Sequence, residues 1–207
     1  MRSAVLYDCE YLTMEGAMKR FWAGPLDPDP IAVQIGAVKL GLEGDFPILA
    51  TERVYVTPID RFGKECALDP YFIELTGIAQ DTVTSEGISL KSAIDRLDRF
   101  SDGASLWSWG KDELFLLGMS CYVAGIDPVI PAHRCGNAGR LLLKAGMPYE
   151  DLQETSSGQL ADYFGIDHPP LYNHDALDDA MSIGLTLQHL LRNGRLSQSD
   201  FKLSGAD

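Results

Sequence analysis

The 207-residue chain lacks several things, and each absence narrows what it can be. It has no run of about 18 apolar residues, which excludes a membrane-spanning helix. The opening MRSAVLYDCE turns acidic before an apolar signal region can form, so a cytoplasmic location is expected. Cysteine is scarce: Cys9, Cys66, Cys121 and Cys135 stand apart with no C-x-x-C pair. That spacing argues against a zinc module or a disulfide framework and suits free thiols in a reducing compartment. Positive charge is also short, with 17 Lys and Arg against 30 Asp and Glu, a net charge of -13. A basic stripe for binding extended duplex is therefore not expected, whereas a short polyanion met by metal ions in a pocket is compatible. No internal repeat or low-complexity segment interrupts the chain.

What is present reads as one α/β domain over residues 1–207, with a core from about 3 to 192 and a C-terminal tail over 193–207. Ala4-Val5-Leu6-Tyr7 begins a core strand, and IAVQIGAVKL (31–40) is a second, bounded by prolines and glycines. Leu42-Glu43-Gly44-Asp45 predicts a hairpin into a third strand near 50–57. Between the first two lies a Pro- and Gly-rich loop, 14–30. Helices are expected at 70–75, 89–100, 111–124, 137–145, 153–164 and 175–191, with a short strand at 104–109. An antiparallel meander followed by alternating helices and strands implies a mixed sheet covered by helices.

The stretch YDCEY carries the first chemical signal. On a strand, Asp8 and Glu10 share a face about 6.6 Å apart along the chain, while Cys9 points into the opposite packing. Two like charges on a core strand need a positive partner, for which a divalent metal is the natural candidate. A strand already ended, with both acids in a solvated turn, is the alternative. Downstream, Ala176, Ala180, Ile183, Leu187 and Leu190 form one helical stripe. Asp178 falls on the far side of that helix and Asp179 at the stripe's border, where it can reach a cleft. His174 can converge with Asp179 only from the loop before the helix, with Asp175 as N-cap. Asp112 follows the 104–109 strand, either as a site residue at a strand end or as an acid complementing a helix dipole.

Taken in order, Asp8-x-Glu10, Asp112, then His174 and Asp179 within HDALDDA resemble the DEDD superfamily of 3'-to-5' exonucleases, in its histidine-containing (DEDDh) branch. IAVQIGAVKL resembles the family's second strand, DPYFIELTGI its segment ending in Leu-Thr-Gly-Ile, and SWGKD the second acid motif of its RNA-trimming members; the chain as a whole is similar to RNA-trimming exonucleases and to the proofreading epsilon subunit. The resemblance implies an RNase H-like fold with a mixed five-stranded sheet between helices. It implies two Mg²⁺ or Mn²⁺ ions held by Asp8, Glu10, Asp112 and Asp179, with His174 as general base. The partner would be the 3' end of a single-stranded nucleic acid, met by Tyr11, Leu12, Phe72, Leu75 and Thr76. A core role for Phe72 is equally open, and for Arg134, Arg140 and Lys144 a solvated face is favoured over phosphate contact. The chain departs from the family at Tyr11-Leu12-Thr13, in its long 14–30 loop, and at Gln34, where a glutamate is common. A catalytically idle RNase H-like scaffold is the alternative function, and a homodimer stays open.

Overall fold

The first strand is apolar at every residue from Ala4 to Tyr7 rather than on alternate residues, the pattern of a strand covered on both faces. In the computed structural model, which describes residues 2–110 and 112–203, that strand, β1 (Ser3–Tyr11), is central, with every residue from Ala4 to Tyr11 buried. It pairs antiparallel with β2 (Ala32–Gly41), and β2 pairs antiparallel with β3 (Ile48–Tyr55). Helices α1 (Pro70–Thr76), α2 (Gln80–Glu86) and α3 (Leu90–Ser101) follow. The chain then returns through β4 (Ser105–Ser108), parallel to β1 on its other side, and α4 (Asp112–Ala124). A three-residue edge strand, β5 (Cys135–Asn137), pairs parallel with β4 and completes the order β3-β2-β1-β4-β5. The remaining helices are α5 (Ala138–Lys144), α6 (Tyr149–Glu154), α7 (Leu160–Tyr163) and α8 (Ala176–Arg192). This is the mixed five-stranded, RNase H-like sheet that the motif order implied.

Strand alternation sorts β1 into two cores. Val5, Tyr7, Cys9 and Tyr11 face one layer with residues of α3 and α4. Ala4 and Leu6 face the other with Ala180, Ile183, Leu187 and Leu190 of α8, so Asp8 and Glu10 continue along the α8 side. The apolar stripe of α8 packs as its periodicity requires, each of those four residues being fully buried. The free thiols behave as small apolar groups, Cys9 and Cys121 being buried.

Three expectations need correction. The helix at 153–164 is broken: α6 ends at Glu154, a 3-10 turn spans Ser157–Gln159, and α7 follows. The break exists because the Ser156 side chain caps a new turn, with Gln159 reaching back to the Ser156 N–H. Helix α2 and strand β5 were not anticipated. Cys-Gly-Asn has little strand character, and its Gly136 is required because a Cβ there would lie 2.5 Å from the Trp107 ring. Within the expected tail, Leu196 and Phe201 are buried in the α8-side core, Phe201 edge-on to Trp107. Residues 204–207 lie outside the described residues. No helix among those described is long and apolar enough to cross a membrane.

Candidate active site

The acids of β1 are buried where the sheet meets the start of α8. Asp8 is 5% exposed and lies opposite Gly36, while Glu10 is 9% exposed and lies opposite Gln34. Gly36 is the reason the helix can come so close. A Cβ there would sit 2.1 Å from the Leu177 N and 2.2 Å from the Ala176 carbonyl carbon. Gln34, fully buried, uses both ends of its amide: Nε2 donates to Asp175 Oδ2 (3.1 Å) and Oε1 accepts from the Ala176 N–H (2.7 Å). A glutamate at this position could make the second bond but would face Asp175 as a like charge. Asp175 caps α8 through the Leu177 and Asp178 N–H groups and receives Arg53 Nη2 at 2.6 Å.

His174 lies in the loop before α8, with a left-handed φ of 63° that a β-carbon makes costly. This conformation brings a ring nitrogen together with carboxylate oxygens of Glu10 and Asp179, all three within 4.8 Å of one another. Asp179 is 6% exposed; its Oδ2 accepts from Ser157 Oγ (3.3 Å) and its Oδ1 has no partner. Asp178, expected to be solvated, is half-buried instead: it accepts from the Tyr172 N–H (2.9 Å) and meets Arg53 at 3.5 Å, latching the preceding loop.

Asp112 lines the same cavity but is exposed, whereas the next residue, Glu113, is 7% exposed and its Oε2 has no partner. The sequence signal for Glu113 was adjacency alone. Ser157 and Asn173 also line the cavity and had no sequence signal. Gly158 packs so tightly between Asn173 and Asp179 that a Cβ would meet the Oδ1 of each at 2.3 Å.

Asp8, Glu10, Asp112, Glu113, His174 and Asp179 share one cavity of about 410 Å³, and no lysine or arginine lines it among the described residues. The electrostatic consequence is uniform. Burial, then the charges of Glu113, Asp179, Glu10 and Asp112, push the Asp8 carboxyl well up. Burial, then Asp179, Asp175 and Glu113, does the same to Glu10. Burial raises Asp179 to about 7 and, with Asp112 beside it, Glu113 to about 8. Desolvation pushes His174 down, so its ring is neutral at pH 7 and able to accept a proton.

The wall of the cavity differs from expectation. Tyr11 and Leu75 line it, but Phe72 is fully buried in a separate apolar cluster with Leu12, so neither offers a face to a base. Thr76 turns its hydroxyl to the Phe72 carbonyl (2.8 Å) and the Ile78 N–H (3.1 Å). In their place the long 14–30 loop supplies Met18 and Trp22, joined by Leu116 and Trp109. Trp22 is held by its indole N–H on the Leu12 carbonyl (2.9 Å). Arg134 is neither solvated nor free for phosphate, since it donates to Asp98, Ser101 and the Ala104 carbonyl.

No protein-family model matches the chain, and no curated protein matches it by sequence. By structure it is similar to the nuclease domain of 3'hExo, a DEDDh family member solved bound to rAMP. That similarity has a TM-score of 0.75 at 20% identity and covers 93% of this chain and 92% of that one. The chain has the fold of that nuclease domain. Cell-death related nuclease 4 (CRN-4) shares it, at TM-score 0.69 and 17% identity over 94% of this chain and 65% of that one. So does E. coli ExoI, solved in complex with ssDNA, at TM-score 0.61 and 16% identity. There the match covers 97% of this chain and 42% of that one. The acid-lined cavity of this chain fits divalent metal on its own chemistry: hard carboxylate oxygens, two of them unpartnered, with no side-chain cation among its described lining.

Proposed function

We propose that this chain is a metal-dependent 3'-to-5' exonuclease of the DEDDh kind. It would hydrolyse the last phosphodiester of single-stranded RNA or DNA and release nucleoside 5'-monophosphates. The observation that carries the reading is the shared cavity. The acids of β1, α4 and α8 and the loop histidine converge there with unpartnered carboxylate oxygens. Asp8, Glu10, Asp179 and one acid from the start of α4 would hold two Mg²⁺ or Mn²⁺ ions. When bound, such ions polarise the phosphoryl oxygens and lower the pKa of a coordinated water.

The protein's own groups do the rest. His174, kept neutral by its partly desolvated loop, accepts the proton of the attacking water as the new P–O bond forms. The P–O3' bond breaks in line, and the leaving 3'-oxygen takes a proton from solvent. Asp175 and Gln34 hold the helix start that presents Asp179. Trp22, Met18, Leu75 and Leu116 offer an apolar wall for the terminal base, where stacking on an aromatic contributes about 1–3 kcal/mol whatever the sequence. The ssDNA-bound ExoI and rAMP-bound 3'hExo relatives support a nucleic-acid end as substrate.

The test is release of mononucleotides from a single-stranded oligomer with Mg²⁺ or Mn²⁺ and with chelator. Metal-dependent 5'-monophosphates are expected. A folded protein that releases none with either ion or on either nucleic acid would leave the idle scaffold as the better account.

A further inference from the structure

Two consecutive acids open α4, and side chains of consecutive helical residues diverge by about 100°, so only one of them can face the sheet. Packing decides which. Ser120 lies seven residues, two turns, beyond Glu113 and therefore on the same helix face. Its Oγ donates to the Pro30 carbonyl (2.9 Å) and accepts from the Ala32 N–H (3.1 Å), which ties that face to β2. At the other end Tyr11 Oη donates to the Glu113 carbonyl oxygen (3.1 Å), pinning the first turn to the end of β1. The helix phase so set buries Glu113 and leaves Asp112 exposed.

A buried carboxylate with an unpartnered oxygen is costly, and a structural glutamate would have both oxygens paired. Glu113 Oε2 has no partner, and neither has Asp179 Oδ1 in the same cavity. We infer that Glu113, rather than Asp112, is the α4 carboxylate that binds the divalent cation in this site, with Asp112 at its rim. The inference rests on the metal-dependent reading above, and it changes which residue of the SWGKDE stretch carries the chemistry. The longer glutamate side chain places its carboxylate roughly one C–C bond, about 1.5 Å, farther from the backbone than an aspartate would.

The test reads Mn²⁺ binding to the full chain without nucleic acid, by titration calorimetry and by the Mn²⁺-induced rise in melting temperature. Glu113→Gln keeps the shape and removes the charge. It should weaken Mn²⁺ at least about tenfold and shrink the melting shift, with no loss of metal-free stability. Asp112→Asn should leave Mn²⁺ affinity within about twofold. Mn²⁺ binding unchanged in Glu113→Gln would overturn the assignment. So would a tenfold loss in a folded Asp112→Asn, which decides the matter even if Glu113→Gln fails to fold. Because no substrate is present, the pattern supports or overturns the role of Glu113 whether or not the wild type cleaves any oligomer.

Discussion

At the residue scale, neighbouring acids in this chain have opposite surroundings, and substitution should separate them. Asp179→Asn removes one of the two unpartnered carboxylate oxygens in the cavity and should abolish nearly all hydrolysis. Asp178→Asn keeps an acceptor for the Tyr172 N–H and should retain most of it. Equal losses in steady-state assays would contradict this division. His174→Ala should lower turnover by about 10²–10⁴, the usual worth of a general base, with Mn²⁺ affinity little changed by calorimetry. A large loss of affinity would make the histidine a ligand instead. Strand alternation and helix phase made Asp8, Glu10 and Asp179 legible in the sequence. Those periods act over a few residues and need no distant partner. Glu113 was not legible, because the phase of α4 is set by Pro30 and Ala32, some ninety residues earlier in the chain. Phe72 stayed open between a stacking and a core role for a similar reason. An aromatic in a short helix reads the same whether it packs inward or lines a cleft, and here it packs inward.

At the element scale, the site depends on how α8 seats on β2, and Gly36 is where that seating is most exposed to change. Gly36→Ala would drive a methyl into the backbone of Ala176 and Leu177. By the usual cost of overpacking it should destabilise by about 1–3 kcal/mol. It should also reduce activity by shifting Asp179 away from Asp8. Denaturant unfolding and turnover measured on the same protein check this, and a variant with wild-type stability and turnover would show that α8 is not seated so tightly. The long elements were legible because their periodicity is strong: β2, α3, α4, α8 and the start of β1 appear within a residue or two of expectation. The missed pieces, α2, β5 and the break after α6, are short and rest on caps and contacts rather than on apolar pattern.

At the scale of the whole molecule, an acidic chain keeps a nest of acids at its centre, and its stability should show it. Asp179 and Glu113 have folded pKa values near 7 and 8, above their unfolded carboxylate values. Their contribution is therefore complete below about pH 4 and is lost as pH rises through about 7 to 8. The metal-free melting temperature should accordingly fall between about pH 4 and pH 8, and saturating Mn²⁺ should reduce that fall. A metal-free curve that rises across this window would contradict the burial of these acids. Long-range attraction to a polyanion should be weak at a net charge of -13. Arg140, Lys144 and Lys202 line a separate cleft of about 610 Å³, and Lys144 is already paired with Asp200. At about -0.7 per phosphate contact, the salt slope for single strands should correspond to roughly two or three contacts. Short oligomers should then be cut about as well as long ones. A steep slope, or efficiency that keeps climbing beyond about ten nucleotides, would reveal a basic track. The central claim, hydrolysis from a 3' end, is tested most directly by the products of one single-stranded oligomer carrying its label at the 5' end or at the 3' end, beside its circular form, with Mg²⁺ or Mn²⁺. The account predicts a 5'-labelled ladder that shortens one nucleotide at a time, immediate release of the 3' label as a mononucleotide, and an intact circle. A nicked circle, or a 5' label released first, would contradict it.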